Sequence, residues 1–182
     1  LATGSYAYQH KYVLNLTGRY EGTNKLGKSR SARWLPTWNV AGAWNIHEET
    51  WFANPVLSHS MFKVSYSLTA DAGPTDRANS QVIINAYTPW RPSSSVMESG
   101  LILDQTENSD LTYEKKHEFN TGIDVGFLND RITLVADYYI RNNFDLIGEV
   151  YTTGIGGGGI KKWANVASMR SSGMEFAIST KN

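Results

Sequence analysis

The sequence predicts an all-β chain, an antiparallel transmembrane β-barrel segment of about six to seven strands, and three observations carry that prediction. Between His117 and Arg141 the side chains alternate strictly. Phe119, Thr121, Ile123, Val125 and Phe127 share one side, and Glu118, Asn120, Gly122, Asp124 and Gly126 share the other, which is the period of a strand. The arms of this hairpin run to about ten residues, longer than the roughly five or six of a globular strand and close to what a tilted strand needs to cross a bilayer. Finally, long and shorter connections alternate along the chain, as a barrel with long loops on one side and short turns on the other requires.

Composition narrows the function classes. Seventeen basic and seventeen acidic residues cancel, so nothing favours nucleic acid as a partner. There is no cysteine, which removes disulfides and thiolate metal sites. No apolar run approaches the roughly 18 residues of a helical span, a requirement a barrel strand does not share. Six Trp, ten Tyr and sixteen Gly suit a wall with aromatic girdles and close strand approaches.

The first strand is predicted from Lys11 to Tyr20, where Tyr12, Leu14, Leu16, Gly18 and Tyr20 alternate with Val13, Asn15, Thr17 and Arg19. Residues 21–33, EGTNKLGKSRSAR, have no apolar period and form a long solvated loop. Trp34 to Ile46 is the second strand. Its Trp34, Trp38 and Trp44 share a face, and Pro36, which offers no ladder donor, belongs at its beginning or at a bulge. Residues 47–60 connect with a short helical turn, and Met61 to Ala70 resumes the alternation. Residues 71–113 form a second long loop that contains a short strand or rim segment at Gln81 to Tyr87, then turn chemistry in TPWRPSSS.

The hairpin comes next, with Asn129-Asp130 as its tight loop. Its register pairs Phe127 with Ile132, Val125 with Leu134, Ile123 with Ala136, Thr121 with Tyr138 and Phe119 with Ile140. On the polar side Glu118 faces Arg141 as a cross-strand ion pair. A slip of one residue would set an apolar row against a polar one, so the register is firmly specified. Val125 is expected near mid-membrane. Residues 142–164, with Gly156 to Gly159, form a third long loop, and a last run places Met174, Phe176 and Ile178 on one side. Both chain ends then fall on the side of the tight turn.

Catalytic and metal chemistry find little support. His10, His47, His59 and His117 are scattered without ligand spacing, so no metal and no cofactor is expected. Asp124 and Asp137 lie near each other on the polar side, but as parts of a solvated wall rather than an acid–base pair. No Ser-His-Asp grouping supports an enzyme, and no catalytic residue is assigned. Ligand contacts are expected from aromatic and polar groups at the rim, with Tyr87, Trp90, Arg91 and Trp163 as the candidates, each weighed against the commoner role of packing the loops.

Four stretches resemble the SusC/RagA family of TonB-linked outer-membrane transporters. They are TNKLGKSRSARWLPTWNVAGAWNIHEE, FKVSYSLTADAG, LTYEKKHEFNTGIDVGFLNDRITLVADYYIRNNFDLI and NVASMRSSGMEFAI. They match, in the family's order, its Arg-Trp and Phe-Pro segment, its Leu-Arg-Ala-Ser-Tyr-Gly segment, its Asp-Tyr-Tyr strand pair and its closing Asn-x-Gly-x-Glu stretch. The sequence departs at Tyr113, where Trp is frequent, and at Ser67, Ser168 and Ser171.

The resemblance implies an arc from the C-terminal part of a barrel of about 22 strands in the bacterial outer membrane, with the loops at about 21–33, 71–113 and 142–164 extracellular. It implies TonB as energy source, acting through an N-terminal part with plug domain and TonB box that is absent here. It also implies a SusD-like surface lipoprotein as partner, and oligosaccharide or peptide cargo. Leu1 is not an initiator and the last residues lack a terminal aromatic, so the chain reads as an internal piece. The alternative from the residues alone is a soluble β-sandwich adhesin or carbohydrate-binding module, in which the apolar sides would form an inner core.

Overall fold

The computed structural model describes residues 1–24, 26–52, 54–73, 82–88, 99–153 and 159–181. They form one sheet of nine strands: β1 (Ala2–Tyr8), β2 (Tyr12–Gly22), β3 (Trp34–Asn45), β4 (Leu57–Asp71), β5 (Ile83–Tyr87), β6 (Gly100–Gln105), β7 (Glu114–Phe127), β8 (Ile132–Thr152) and β9 (Ile160–Thr180). Their order across the sheet is β1-β2-β3-β4-β7-β8-β9-β6-β5. Every pair in the wall from β1 to β9 is antiparallel, so consecutive strands run up and down. A helix of one turn, α1 (Arg30–Arg33), and a 3-10 turn at Ile46–Glu48 are the helical elements among the described residues.

The hairpin forms with the register its pattern dictates, from Phe127 against Ile132 through Glu118 against Arg141. Its connection takes in four residues, Leu128 to Arg131, rather than Asn129-Asp130 alone. Leu128, Asn129 and Asp130 all have positive φ, at 54, 56 and 60°, and Arg131 N–H donates to the Leu128 carbonyl at 3.4 Å. Val125 lies only two residues from the strand's end at Phe127, so it sits near the turn rather than at mid-membrane. Ile123 and Thr121 occupy the middle of the apolar row.

Three further expectations change. The described residues form nine strands rather than six or seven, because β1 precedes the first predicted strand and β5–β6 emerge within residues 71–113. With β1 present, Leu1 lies up the wall, since Ala2 pairs with Gly18 rather than with a residue at the turn end; Asn182 lies outside the described residues. Residues 142–152 and 160–164 are strand, not loop. β8 and β9 each run 21 residues, and a bulge at Asp145, with φ of 58°, interrupts their pairing between Asn143 and Leu146. That local break of period explains why the sequence reads as irregular there.

Among the described residues no second layer covers the sheet, which favours a barrel wall over a sandwich. Buried apolar side chains among the described residues are few, namely Leu26, Ala32, Leu111, Tyr113 and Trp163, and they gather where the long loops meet, not beneath the sheet. Met174, Phe176 and Ile178 are 66, 71 and 70% exposed. A sandwich would enclose that row. Pro36 also fits: it pairs with Tyr20 on β2, while pairing between β3 and β4 begins only at Trp38, so no ladder donor is lost on the β4 side.

Candidate functional site

The two faces of the wall differ in chemistry because alternate residues face opposite ways. Around the inward curl of the sheet, Asn15, Lys63, Glu118, Asn120, Asp137, Arg141 and Glu175 line an open cavity of about 720 Å³. Arg141 Nε donates to Glu118 at 2.9 Å, and Lys116 reaches the same carboxylate at 3.3 Å. The Arg141 guanidinium also lies 5.5 Å from the Tyr139 ring centre. Tyr139 in turn covers Gly173, where an added Cβ would lie 2.7 Å from the Tyr139 hydroxyl; the ring occupies the space that only glycine leaves. Asp137 faces Lys63 at 4.0 Å, while Asp124 bonds to His59 instead, so the two aspartates do not form a carboxylate pair.

The tight-turn end is held by two hubs that join distant segments. His59 places Nδ1 2.8 Å from Asp130 and Nε2 3.0 Å from Asp124, and Asp130 N–H donates to Ser58 Oγ at 2.9 Å. The Asp130 carboxyl is held below the usual carboxylate range, first by His59 and then by Ser58. Glu49 accepts from the Tyr12 hydroxyl at 2.7 Å, from Lys11 at 3.0 Å and from the Trp44 indole at 3.1 Å. These bonds, the tyrosine's foremost, hold its carboxyl below its ordinary value. Neither hub is legible in sequence, since 71 positions separate His59 from Asp130 and 37 separate Tyr12 from Glu49.

The opposite end is a clasp of loops. Residues 21–33 are not simply solvated, for Leu26 is buried with Leu111, Tyr113 and Trp163, and Leu35, Ala70, Ala72 and Ile147 pack against them. Gly27 and Lys28 N–H groups donate to the Leu111 and Ser109 carbonyls, each at 2.9 Å. The Asn165 amide joins both sides: it accepts from Thr112 N–H at 2.9 Å and donates to the Thr112 and Asp145 carbonyls. Ser29 caps α1 by accepting from Ala32 N–H at 3.1 Å.

The rim candidates separate accordingly. Tyr87 stands exposed at the end of β5. Trp90 and Arg91 lie outside the described residues, as does most of TPWRPSSS and the glycine run. Trp163 is 9% exposed within the clasp, where its indole packs loops.

The sequence matches the family model "TonB dependent receptor-like, beta-barrel" over residues 2–181. The chain belongs to this family. Its wall is therefore that of an outer-membrane β-barrel. Among curated relatives, TonB-dependent receptor P26 of Formosa agariphila is 26% identical over 98% of this chain and 18% of its own length. TonB-dependent receptor SusC of Bacteroides thetaiotaomicron is 27% identical over 97% of this chain and 18% of its own. The fold is that of a stretch of the RagAB peptide importer in its open-open state, at a TM-score of 0.80 and 23% identity over 96% of this chain and 18% of that one. The chain thus spans less than a fifth of the length of these relatives.

Proposed function

We propose that this arc belongs to an energy-coupled nutrient importer of the outer membrane. Its outward face contacts lipid, its inward face lines the transport lumen, and its clasped loops stand on the cell surface. The observation that carries the reading is the opposition of faces: an exposed apolar row at Ile123, Met174, Phe176 and Ile178 backs directly onto the charged wall of Lys63, Glu118, Asp137, Arg141 and Glu175. Hydrocarbon on one side and water on the other is the environment in which both are stable. Along β9 the backbone groups of the membrane-crossing part pair on the β8 side alone, so further strands of a larger barrel, about 22 in all, complete the wall.

In this reading TonB supplies energy through a plug-bearing N-terminal part, and a SusD-like surface lipoprotein closes over the clasp. The cargo is an oligosaccharide or a peptide: the RagAB structure this fold matches is a peptide importer, and the oligosaccharide follows from the family resemblance alone. Tyr87, Trp90 and Arg91 are proposed to meet cargo or lid, while Trp163 stiffens the rim.

Uptake by cells carrying the full-length parent tests this. Labelled oligosaccharides and peptides should enter only when both TonB and the lipoprotein are present. Entry that is indifferent to TonB, or no entry of either cargo class, would contradict the importer reading.

A further inference from the structure

We propose that the outward face carries a binding site for the phosphate of a lipid headgroup, formed by His117, Asn142 and Arg170 at the upper border of the apolar band. The proposal rests on the membrane orientation given above. Register sets these three side by side: His117 pairs with Asn142, and Asn142 with Arg170, so they form one row across β7, β8 and β9. Neighbouring strands lie about 4.8 Å apart, which puts His117 and Arg170 about 10 Å apart along the row, with the Asn142 amide between them. One tetrahedral anion is within joint reach of all three.

Height and charge identify the occupant. His117 and Arg170 each stand ten residues above the last outward residue of their strands, Phe127 and Thr180. At about 3.4 Å per residue and about 40° of tilt, that is about 26 Å of height, the thickness of the apolar band. Below this row the outward residues of β7, β8 and β9 are Phe119, Thr121, Ile123, Val125 and Phe127, then Ile140, Tyr138, Ala136, Leu134 and Ile132, then Ser172, Met174, Phe176 and Ile178. None is charged. The first basic groups met on leaving the hydrocarbon along these strands are thus one imidazole and one guanidinium, at headgroup level. In the next row up, Lys115 is already engaged by Asp145 at 2.7 Å.

The side chains suit a phosphate. Arg170 is exposed, and its planar fork suits a bidentate contact with a phosphate. His117 is steadied between the Tyr66 and Phe144 rings, each 5.9 Å from it, and its Nδ1 lies 3.0 Å from the Tyr66 hydroxyl. With the tyrosine donating to Nδ1, Nε2 carries the proton and is the donor toward the headgroup. A zwitterionic headgroup gains less from a site without a carboxylate than an anionic one.

The full-length parent, folded into phosphatidylcholine vesicles with and without phosphatidylglycerol, supplies the test. Lipids retained through detergent exchange are counted by native mass spectrometry, and heat-modifiable migration confirms insertion in every variant. Wild type should retain phosphatidylglycerol in preference to phosphatidylcholine. Arg170→Gln should retain about fivefold less, the loss expected of one basic group at an anionic surface, and Arg170→Lys should keep most of it. His117→Gln should add to the loss.

Equal retention by wild type and an inserted Arg170→Gln variant would overturn the site while leaving the orientation intact. So would displacement of the lipid by inorganic phosphate alone. If His117→Gln prevents folding, the exposed Arg170 variant decides the matter by itself. Failure of wild type to insert would count against the membrane reading on which the site depends.

Discussion

Single residues show the division of the wall most sharply. Ile123, at the middle of the outward row and 37% exposed, faces hydrocarbon, and Asn120 faces the cavity from the same strand. Ile123→Arg should destabilise the folded barrel by about 2–4 kcal/mol, the cost of a cation near the bilayer midplane, whereas Asn120→Ser should change stability little. Urea titration of the full-length protein in vesicles measures both. Val125→Arg, closer to the turn, should cost less than Ile123→Arg because the penalty falls toward the interface.

Glu49 gives a prediction in pH. Its folded-state pKa lies below the ordinary 4.5, so its network with Tyr12, Lys11 and Trp44 adds stability above that value and loses it as pH falls through the lowered one. The difference in Trp emission between wild type and Glu49→Gln should be constant between about pH 6 and 8 and shrink only below about pH 4.5. A difference that vanishes near neutral pH would mean that Glu49 does not hold that corner.

Strands and loops record different amounts of themselves in the sequence. The β7–β8 register was fully legible, because apolar and polar rows of that length have one alignment that keeps both intact. β3 and the 3-10 turn after it were legible for the same kind of local reason. β1 escaped because Ala2–Tyr8 has four small residues, Ala2, Gly4, Ser5 and Ala7, and only two tyrosines to mark a face. The upper halves of β8 and β9 escaped because the Asp145 bulge shifts the period and the glycine run follows soon after.

The clasp was illegible because it is made of contacts between segments far apart in sequence. Its most sensitive point is Gly27, where an added Cβ would meet the Ser109 carbonyl and lie 2.8 Å from that of Leu111. Gly27→Ala should therefore release residues 23–33 and 106–113. Hydrogen exchange in those two segments should rise together while β2, β3 and β7 keep their protection. Uniform exchange in wild type and variant would show that the clasp is not held at this point.

At the scale of the whole molecule, the sheet is a surface with two solvents, and most of its features follow from that. Among its described residues no core lies under the strands, aromatic rings such as Tyr12, Trp44, Tyr20 and Trp34 stack on the outward side, and the ion pairs lie on the inward side or at the two ends. The sequence could announce this through alternation and strand length, yet alternation alone does not say which side is wet. The open outward face and the absence of an overlying layer supply the answer. Tyr87 and the rim around it depend on loop placement, which local pattern does not encode.

The direct test of that central claim is a spin-label scan along β7 in the full-length protein, one cysteine at a time from position 118 to 127, in lipid vesicles. Accessibility to oxygen should peak at 119, 121, 123, 125 and 127, while accessibility to a water-soluble nickel chelate should peak at the positions between them. The opposite phase, or no alternation at all, would contradict it.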